Sequence, residues 1–307
     1  MLEQHLPAGV EYMNVGHSNL TPRMFRALSR VSASKSTVLL HDLLPLTHPQ
    51  FCRPESEDKA TRMLQVVSRY ADRVVHTTSS TCSSNKTYLA KAGRCPPGIV
   101  APLGVGRPRT TCLRSPSFQD PYFIAIGTLE PRKNIGFLLD LWEAIDQSSE
   151  AELPTLVIAG ARGWEYPAFF TRLTGHTLFE NKIHWIDAAD DDQVTALLSG
   201  ARGLLFPSHA EGLGLPPLEA ARAGVPVVCQ ELQPLSELLG DYPSYLSCDD
   251  LAGWIEKIKG LLAGRTPQRL TAPDTLPTWE QHFAVVMDGE KTVETGVRSE
   301  KGSALCA

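Results

Sequence analysis

The stretch GLLFPSHAEGLGLPPLEAARAGVPVVC, residues 203–229, constrains the fold more than any other part of the chain. An apolar strand-like run, Leu204, Leu205 and Phe206, stops at Pro207. A Gly-rich loop follows, then a helix opened by Pro216 and Pro217, then a second strand-like run at residues 225–228. Two strands joined through a helix lie parallel. Open parallel sheets bind ligands at the carboxyl ends of their strands. Two carboxylates bracket this loop there: Glu211, where the chain leaves the strand, and Glu219, expected in the first turn of the helix. Gly212 and Gly214 allow close backbone approach to a ligand, and a helix start offers N–H groups and a positive dipole end to a phosphate. Acids to accept from hydroxyls beside an anion cradle suit a phosphorylated polyol.

The rest of the chain repeats the alternation. Strand signals at residues 12–15, 37–40, 73–77 and 99–102 are interleaved with helical signals at 22–31, 55–70 and 81–91. Residues 103–120 are rich in Gly, Pro and Ser and read as a linker. A second series sets strands at 122–126, 155–159 and 183–186 against helices at 134–145, 167–173 and 191–199; helices at 234–239, 251–262 and near 279–283 follow the opening motif. Such alternation predicts an α/β protein with parallel sheets covered on both faces. The expected domains are 1–115 and 116–285, with a polar, disordered tail at 286–307. The four strands before the linker fall short of the roughly six of a doubly wound domain, so the N-terminal domain is expected to be incomplete.

Composition narrows the function. A net charge of −5 argues against nucleic-acid binding through general electrostatics. No run of about 18 apolar residues and no leader pattern is visible. The seven cysteines lie far apart with no Cys-x-x-Cys pair, which reads as free thiols in a reducing cytosol rather than a disulfide frame or zinc site. The expected location is therefore cytoplasmic. A basic amphipathic helix at residues 22–35 either packs on its own sheet or makes peripheral contact with a membrane.

The second chemical signal is GTLEPRKN, residues 127–134, a strand-to-helix loop on the same sheet edge. Gly127 permits close approach, and Arg132 and Lys133 can neutralise a diphosphate; taken alone, the pair reads equally as solvated cations at a helix start. Gly160 and Gly163 follow the next strand and either form a plain turn or line a nucleotide site. The turn after Ile186 is a candidate for contact with a base. The acids at 190–192 read as a helix cap with first-turn acids, not as a metal–diphosphate site. In the first half, His41 ends a strand in VLLHDLLPLTHP, where a neutral imidazole could orient a donor hydroxyl or assist an acceptor. Gly16, His17 and Ser18 follow the first strand, as an acceptor-side loop or as a turn leading into a capped helix.

Taken together, the Glu-x7-Glu stretch, GTLEPRKN and His41-Asp42 resemble the retaining glycosyltransferases of the GT-B fold, in glycosyltransferase family 4, also called glycosyl transferases group 1. The resemblance is close over residues 118–285 and looser over 12–102. It implies two Rossmann-like domains facing a cleft. It implies that Lys133 contacts a donor diphosphate together with an arginine. Many members carry that arginine where this chain has Thr128, and Arg132 is its substitute. Glu211 would contact donor-sugar hydroxyls at the reacting centre with His41, and Glu219 the ribose. The backbone of Gly212, Leu213, Gly214 and Leu215 would hold sugar and diphosphate. The donor would be a UDP- or GDP-linked sugar and the acceptor a saccharide, lipid-linked or other hydroxyl in polysaccharide or glycoconjugate synthesis, with no cofactor and no catalytic metal. A nucleotide-sugar-binding protein without transfer, and a nucleotide-sugar epimerase, are the alternatives.

Overall fold

The computed structural model describes residues 2–106, 118, 120–148, 153–164, 167–264, 266, 268–295 and 305–306. The first unit begins with strand β1 (Glu11–Asn14), helix α1 (Pro22–Leu28), β2 (Lys35–Leu40), α2 (Leu44–Thr47), α3 (Ser56–Tyr70), β3 (Arg73–His76), α4 (Ser79–Ala92) and β4 (Gly98–Val100). The second contains β5 (Tyr122–Ile126), α5 (Ile135–Ser148), β6 (Thr155–Ala159), α6 (Pro167–Thr174), β7 (Ile183–Ile186), α7 (Asp191–Gly200), β8 (Leu204–Phe206), α8 (Leu215–Arg222), β9 (Val227–Cys229), α9 (Gln233–Leu239), β10 (Ser244–Tyr245) and α10 (Leu251–Leu262). Helix α11 (Trp279–Thr295) and a short β11 (Leu305–Cys306) follow.

In the first unit β1 to β4 lie side by side in chain order, all parallel. Both faces of this sheet are buried, as parallel sheets require. Val38 and Leu40 of β2 pack with Phe25, Leu64, Val67 and Leu89 on one face. Leu39 packs with Val75, Ile99 and Val286 on the other. Thr21 caps α1 by accepting from the Met24 N–H at 3.2 Å, and Thr78 and Thr81 form a reciprocal capping box on α4.

Four expectations need correction here. The basic helix ends at Leu28 and Lys35 already belongs to β2; Phe25 and Leu28 are buried, so its apolar side packs within its own unit. The second unit spans Val105–Leu276 and ends before 285, because the chain from Pro277 rejoins the first unit. Residues 286–295 of the expected disordered tail are helical: Val286 fills the second face of the sheet, and His282 Nδ1 lies 3.1 Å from the Ala101 carbonyl. Trp279, Phe283 and Met287 of α11 stay exposed while Val286 is buried, and the polar run that follows Met287 dominates a reading by composition. The remainder of that tail, apart from the β11 pairing with β4, lies outside the described residues. Cys52, Cys95, Cys229 and Cys248 are free, but Cys82 is disulfide-bonded, against the expectation of free thiols throughout.

The second unit is a six-stranded parallel sheet in the order β10-β9-β8-β5-β6-β7. Its core joins Phe123, Leu156 and Ile158 of the sheet to Leu138, Leu141 and Trp142 of α5 and Trp254 of α10. From β5 the chain builds outward in one direction through β6 and β7. From β8 it builds in the other through β9 and β10. The helices after β5 and β8 therefore leave to opposite faces, and a crevice opens between the two strand ends.

Candidate functional site

The loops that follow β5 and β8 flank this reversal point, and they carry the two motifs. After β5, Gly127 adopts φ 140°, a conformation few side chains accept. The Lys133 stem lies over it: a Cβ on Gly127 would stand 3.1 Å from Lys133 Cε. The Gly127 N–H donates to the Ala159 carbonyl (3.0 Å) and the Leu129 N–H to that of Ala161 (2.9 Å), tying the loop to the end of β6. Gly160 makes this approach sterically feasible, since a Cβ there would fall 1.9 Å from the Gly127 carbonyl oxygen. Gly160 also donates to the Ile186 carbonyl at 3.1 Å, so the two residues expected near a base are neighbours on this edge.

A turn at Pro131–Lys133 and Asn134 in the left-handed region (φ 51°) then aim Arg132 and Lys133 toward the loop after β8. Lys133 Nζ donates to Glu211 Oε1 at 2.7 Å, and Arg132 Nη1 pairs with Glu211 Oε2 at 2.6 Å. Arg132 Nη2 and Nε both donate to Glu130 Oε1, at 2.7 and 3.2 Å. The guanidinium also donates to the Ala210 carbonyl at 2.9 Å, and the Arg132 carbonyl accepts from the His209 N–H. Lys133 Nζ sits 5.0 Å from the centre of the Phe206 ring. The side chains of Lys133 and Glu211 are only 11% and 8% exposed, so these contacts act with little screening by water. Burial by itself would lower the Arg132 pKa, but Glu211 and then Glu130 outweigh it and hold the guanidinium above its usual value. Two cations and two carboxylates make a cluster of balanced charge.

Glu219 stands apart from this cluster. Helix α8 begins at Leu215 behind Gly214, which is left-handed at φ 80°, so Glu219 occupies the second turn rather than the expected first. No hydrogen bond or ion pair joins it to Glu211 among the described residues. The residue is exposed, yet partial desolvation of its carboxyl, and then the charge of Asp191, push its pKa up. Gly212, Leu213 and Gly214 are buried and Leu215 is exposed. A Cβ on Gly214 would meet Leu235 Cδ2 at 2.6 Å, which explains the glycine independently of any ligand. Pro216 and Pro217 have no N–H, so the helix start offers an anion fewer donors than its position suggests. Thr128 is exposed and takes no part in the charge cluster's hydrogen bonds. Asp190 caps α7, with Asp191 and Asp192 in its first turn.

In the first unit the structure brings His17 and His41 together at the carboxyl edge of β1 and β2, with ring centres 5.4 Å apart. They interlock. His17, after β1, bonds through Nε2 to the Leu39 carbonyl of β2 (2.9 Å), and His41, after β2, bonds through Nε2 to the Val15 carbonyl beyond β1 (2.9 Å). A carbonyl only accepts, so both Nε2 atoms carry a proton. Burial, the largest influence, and the neighbouring His41 lower the pKa of His17 despite the Leu39 carbonyl and Asp42. Gly16 and Ser18 are exposed on either side, and the Ser18 carbonyl accepts from Asn14 Nδ2 at 2.6 Å.

Sequence reasoning missed Glu130, Phe206 and the Ala210 carbonyl as partners of the cations. Glu130 lies inside the quoted motif and differs in sign from its neighbours, a signal that was available. The Phe206 and Ala210 contacts depend on β8 and the loop after it, more than seventy residues away, which no local pattern reports.

The family model described as glycosyl transferases group 1 matches residues 115–270, just over half of the chain. The chain belongs to this family. Similar proteins include the serotype-specific mannosyltransferase WbdA of Escherichia coli, 25% identical over 86% of this chain and 35% of its own length. The O-antigen chain mannosyltransferase B of Escherichia coli is 32% identical over 61% of this chain and 44% of its own length. The chain thus spans about a third of the length of WbdA. Among solved structures, sucrose-phosphate synthase from Thermosynechococcus elongatus superposes with a TM-score of 0.69 at 16% identity, covering 94% of this chain and 74% of that one. An α,α-trehalose-phosphate synthase from Burkholderia xenovorans gives 0.68 at 14% identity, over 94% and 72%. These likenesses show the fold, the GT-B class of α/β protein.

Proposed function

We propose that this chain moves a sugar from a nucleotide-diphosphate donor to a hydroxyl of a saccharide or lipid-linked acceptor, with retention at the anomeric carbon, in the synthesis of a surface polysaccharide. The observation that carries the reading is the pairing of Lys133 and Arg132 with Glu211 where the sheet order reverses. The bond from the anomeric carbon to the diphosphate oxygen breaks, and one to the acceptor oxygen forms on the same face. The acceptor proton passes to the departing phosphate. Lys133 and Arg132 stand where negative charge develops on that leaving group. Glu211 takes hydroxyls of the donor sugar, Glu219 the ribose, and the edge at Gly160 and Ile186 lies on the side of the base. His41 and the loop of Gly16, His17 and Ser18 serve the reacting centre and the acceptor. Mannose is the sugar named in the relatives' activities, so mannosyl transfer from a GDP- or UDP-linked donor is the first case to test. The reading includes a cytoplasmic reaction, peripheral to the membrane when the acceptor is lipid-linked. No described helix is long and apolar enough to cross a membrane.

The test is release of nucleoside diphosphate from GDP-, UDP- and ADP-linked mannose and glucose, with and without mannose oligosaccharides, before and after chelation of metals. Transfer predicts release that depends on acceptor and survives chelation. Calorimetric binding of donor with no turnover on any acceptor would support binding alone. Interconversion of sugars without acceptor would indicate an epimerase.

A further inference from the structure

The two cations assigned to the diphosphate already hold an anion that belongs to the chain. Each Glu211 oxygen is engaged by a different cation, at 2.7 Å from Lys133 and 2.6 Å from Arg132, and the carboxylate is almost wholly enclosed. A diphosphate that takes up Lys133 and Arg132 competes with it for their donors and charge. A displaced, buried carboxylate is costly unless new donors satisfy it. A bare nucleoside diphosphate supplies an anion to the cations and nothing to Glu211. A nucleotide sugar supplies both, because its sugar hydroxyls can donate to the carboxylate. We propose that Glu211 is an internal competitor of the diphosphate, released by sugar hydroxyls, so that the site favours a nucleotide sugar over the nucleoside diphosphate it leaves behind. The inference rests on the nucleotide-sugar reading of the site and adds a direction to it: once the sugar has gone, Glu211 returns to Lys133 and Arg132 and drives product release. Glu130 is the internal control. Among the described residues its carboxylate bonds to Arg132, through Nε and Nη2, and its removal changes the charge of the cluster by the same amount without freeing Lys133.

The experiment is titration calorimetry of the full chain with UDP, GDP and ADP and with their mannose and glucose esters. It is run on the wild type, Glu211→Gln and Glu130→Gln, with circular dichroism and melting curves on each. Glu211→Gln should bind the bare nucleoside diphosphate about tenfold more tightly or better, on the scale of one charge-assisted hydrogen bond. The preference for the sugar ester should shrink correspondingly, and product inhibition should strengthen. Glu130→Gln should shift both ligands alike and keep the preference. The proposal is overturned if folded Glu211→Gln binds the bare diphosphate no more tightly than wild type, or if Glu130→Gln erodes the preference equally. Should Glu211→Gln not fold, Glu211→Asp keeps the charge on a shorter arm that cannot reach both cations. It should show the same shift at smaller size, and a wild-type preference in it would overturn the proposal. Failure of the wild type to bind either ligand class would sink the nucleotide-sugar reading itself, whereas binding with an unmoved preference would sink only the competition.

Discussion

Lys133 is held by Glu211, by the Phe206 ring and by the path over Gly127, so its ammonium is placed before any ligand arrives. Replacing it with methionine keeps the stem and removes the charge. Lys133→Met should weaken nucleoside diphosphate binding roughly tenfold to a hundredfold and reduce transfer by about 10²–10³, the usual effect of losing one group that stabilises developing charge. Unchanged diphosphate affinity by calorimetry would remove Lys133 from the site. His76 makes a second prediction at this scale. It is buried in the first unit; burial, and then the charge of Lys86, push its pKa down to about 4. Asn85 Nδ2 lies 3.1 Å from Nδ1 and donates to it, which suits the neutral ring. A depressed pKa means the unfolded chain binds the extra proton first. Stability from neutral His76 is therefore intact above about pH 6.5 and is lost as pH falls toward 4, by an amount on the order of 3 kcal/mol. Urea unfolding of the first unit at pH 7.5, 5.5 and 4.5 should show this loss in wild type, and a reduced loss in His76→Gln.

At the scale of elements, the site depends on how closely neighbouring loops can stack. The β5 and β6 loops touch backbone to backbone at Gly127 and Gly160. Gly160→Ala places a methyl against a carbonyl oxygen that cannot move without shifting the Lys133 turn. A loss of about 1–3 kcal/mol, with weaker diphosphate binding, should be visible in melting curves and calorimetry. Gly260, inside α10 with nothing near its Cβ position, is the contrast: Gly260→Ala should gain about 0.5–1 kcal/mol and leave binding alone. The glycines of the opening motif were legible as a close-approach loop, since Gly and Pro act on their own few residues. Their partners were not: Gly214 answers to Leu235 and Gly160 to Gly127, contacts that exist only once the strands are in order. The placement of Glu219 shows the same limit. One residue's difference in where α8 starts moves it out of the first turn, and helix ends are set by the left-handed Gly214 together with what packs on it.

For the whole molecule, the return of α11 to the first unit was not readable from composition, because its buried residues are few and its apolar residues Trp279, Phe283 and Met287 stay exposed. Val286 and His282 close the second face of the first sheet, over Leu39, Val75 and Ile99. A chain ending at Leu276 should therefore keep the second unit and destabilise the first. Limited proteolysis and hydrogen exchange should show new exposure in β2, β3 and β4 with β5 to β9 unchanged. What the amino-acid sequence determined by itself is most of the elements, though not α2, β10 or β11, together with the α/β class and the motif loops of the nucleotide-sugar reading. Strand and helix periodicity, caps and Gly/Pro punctuation are short-range effects carried by neighbouring residues. What only the tertiary structure decided is which strands lie side by side, where their order reverses, and which charges meet. Lys133 and Glu211 are 78 positions apart. Their pairing follows from β5 and β8 lying next to each other, and that adjacency is set by burial of both sheet faces across the unit, not by any local pattern.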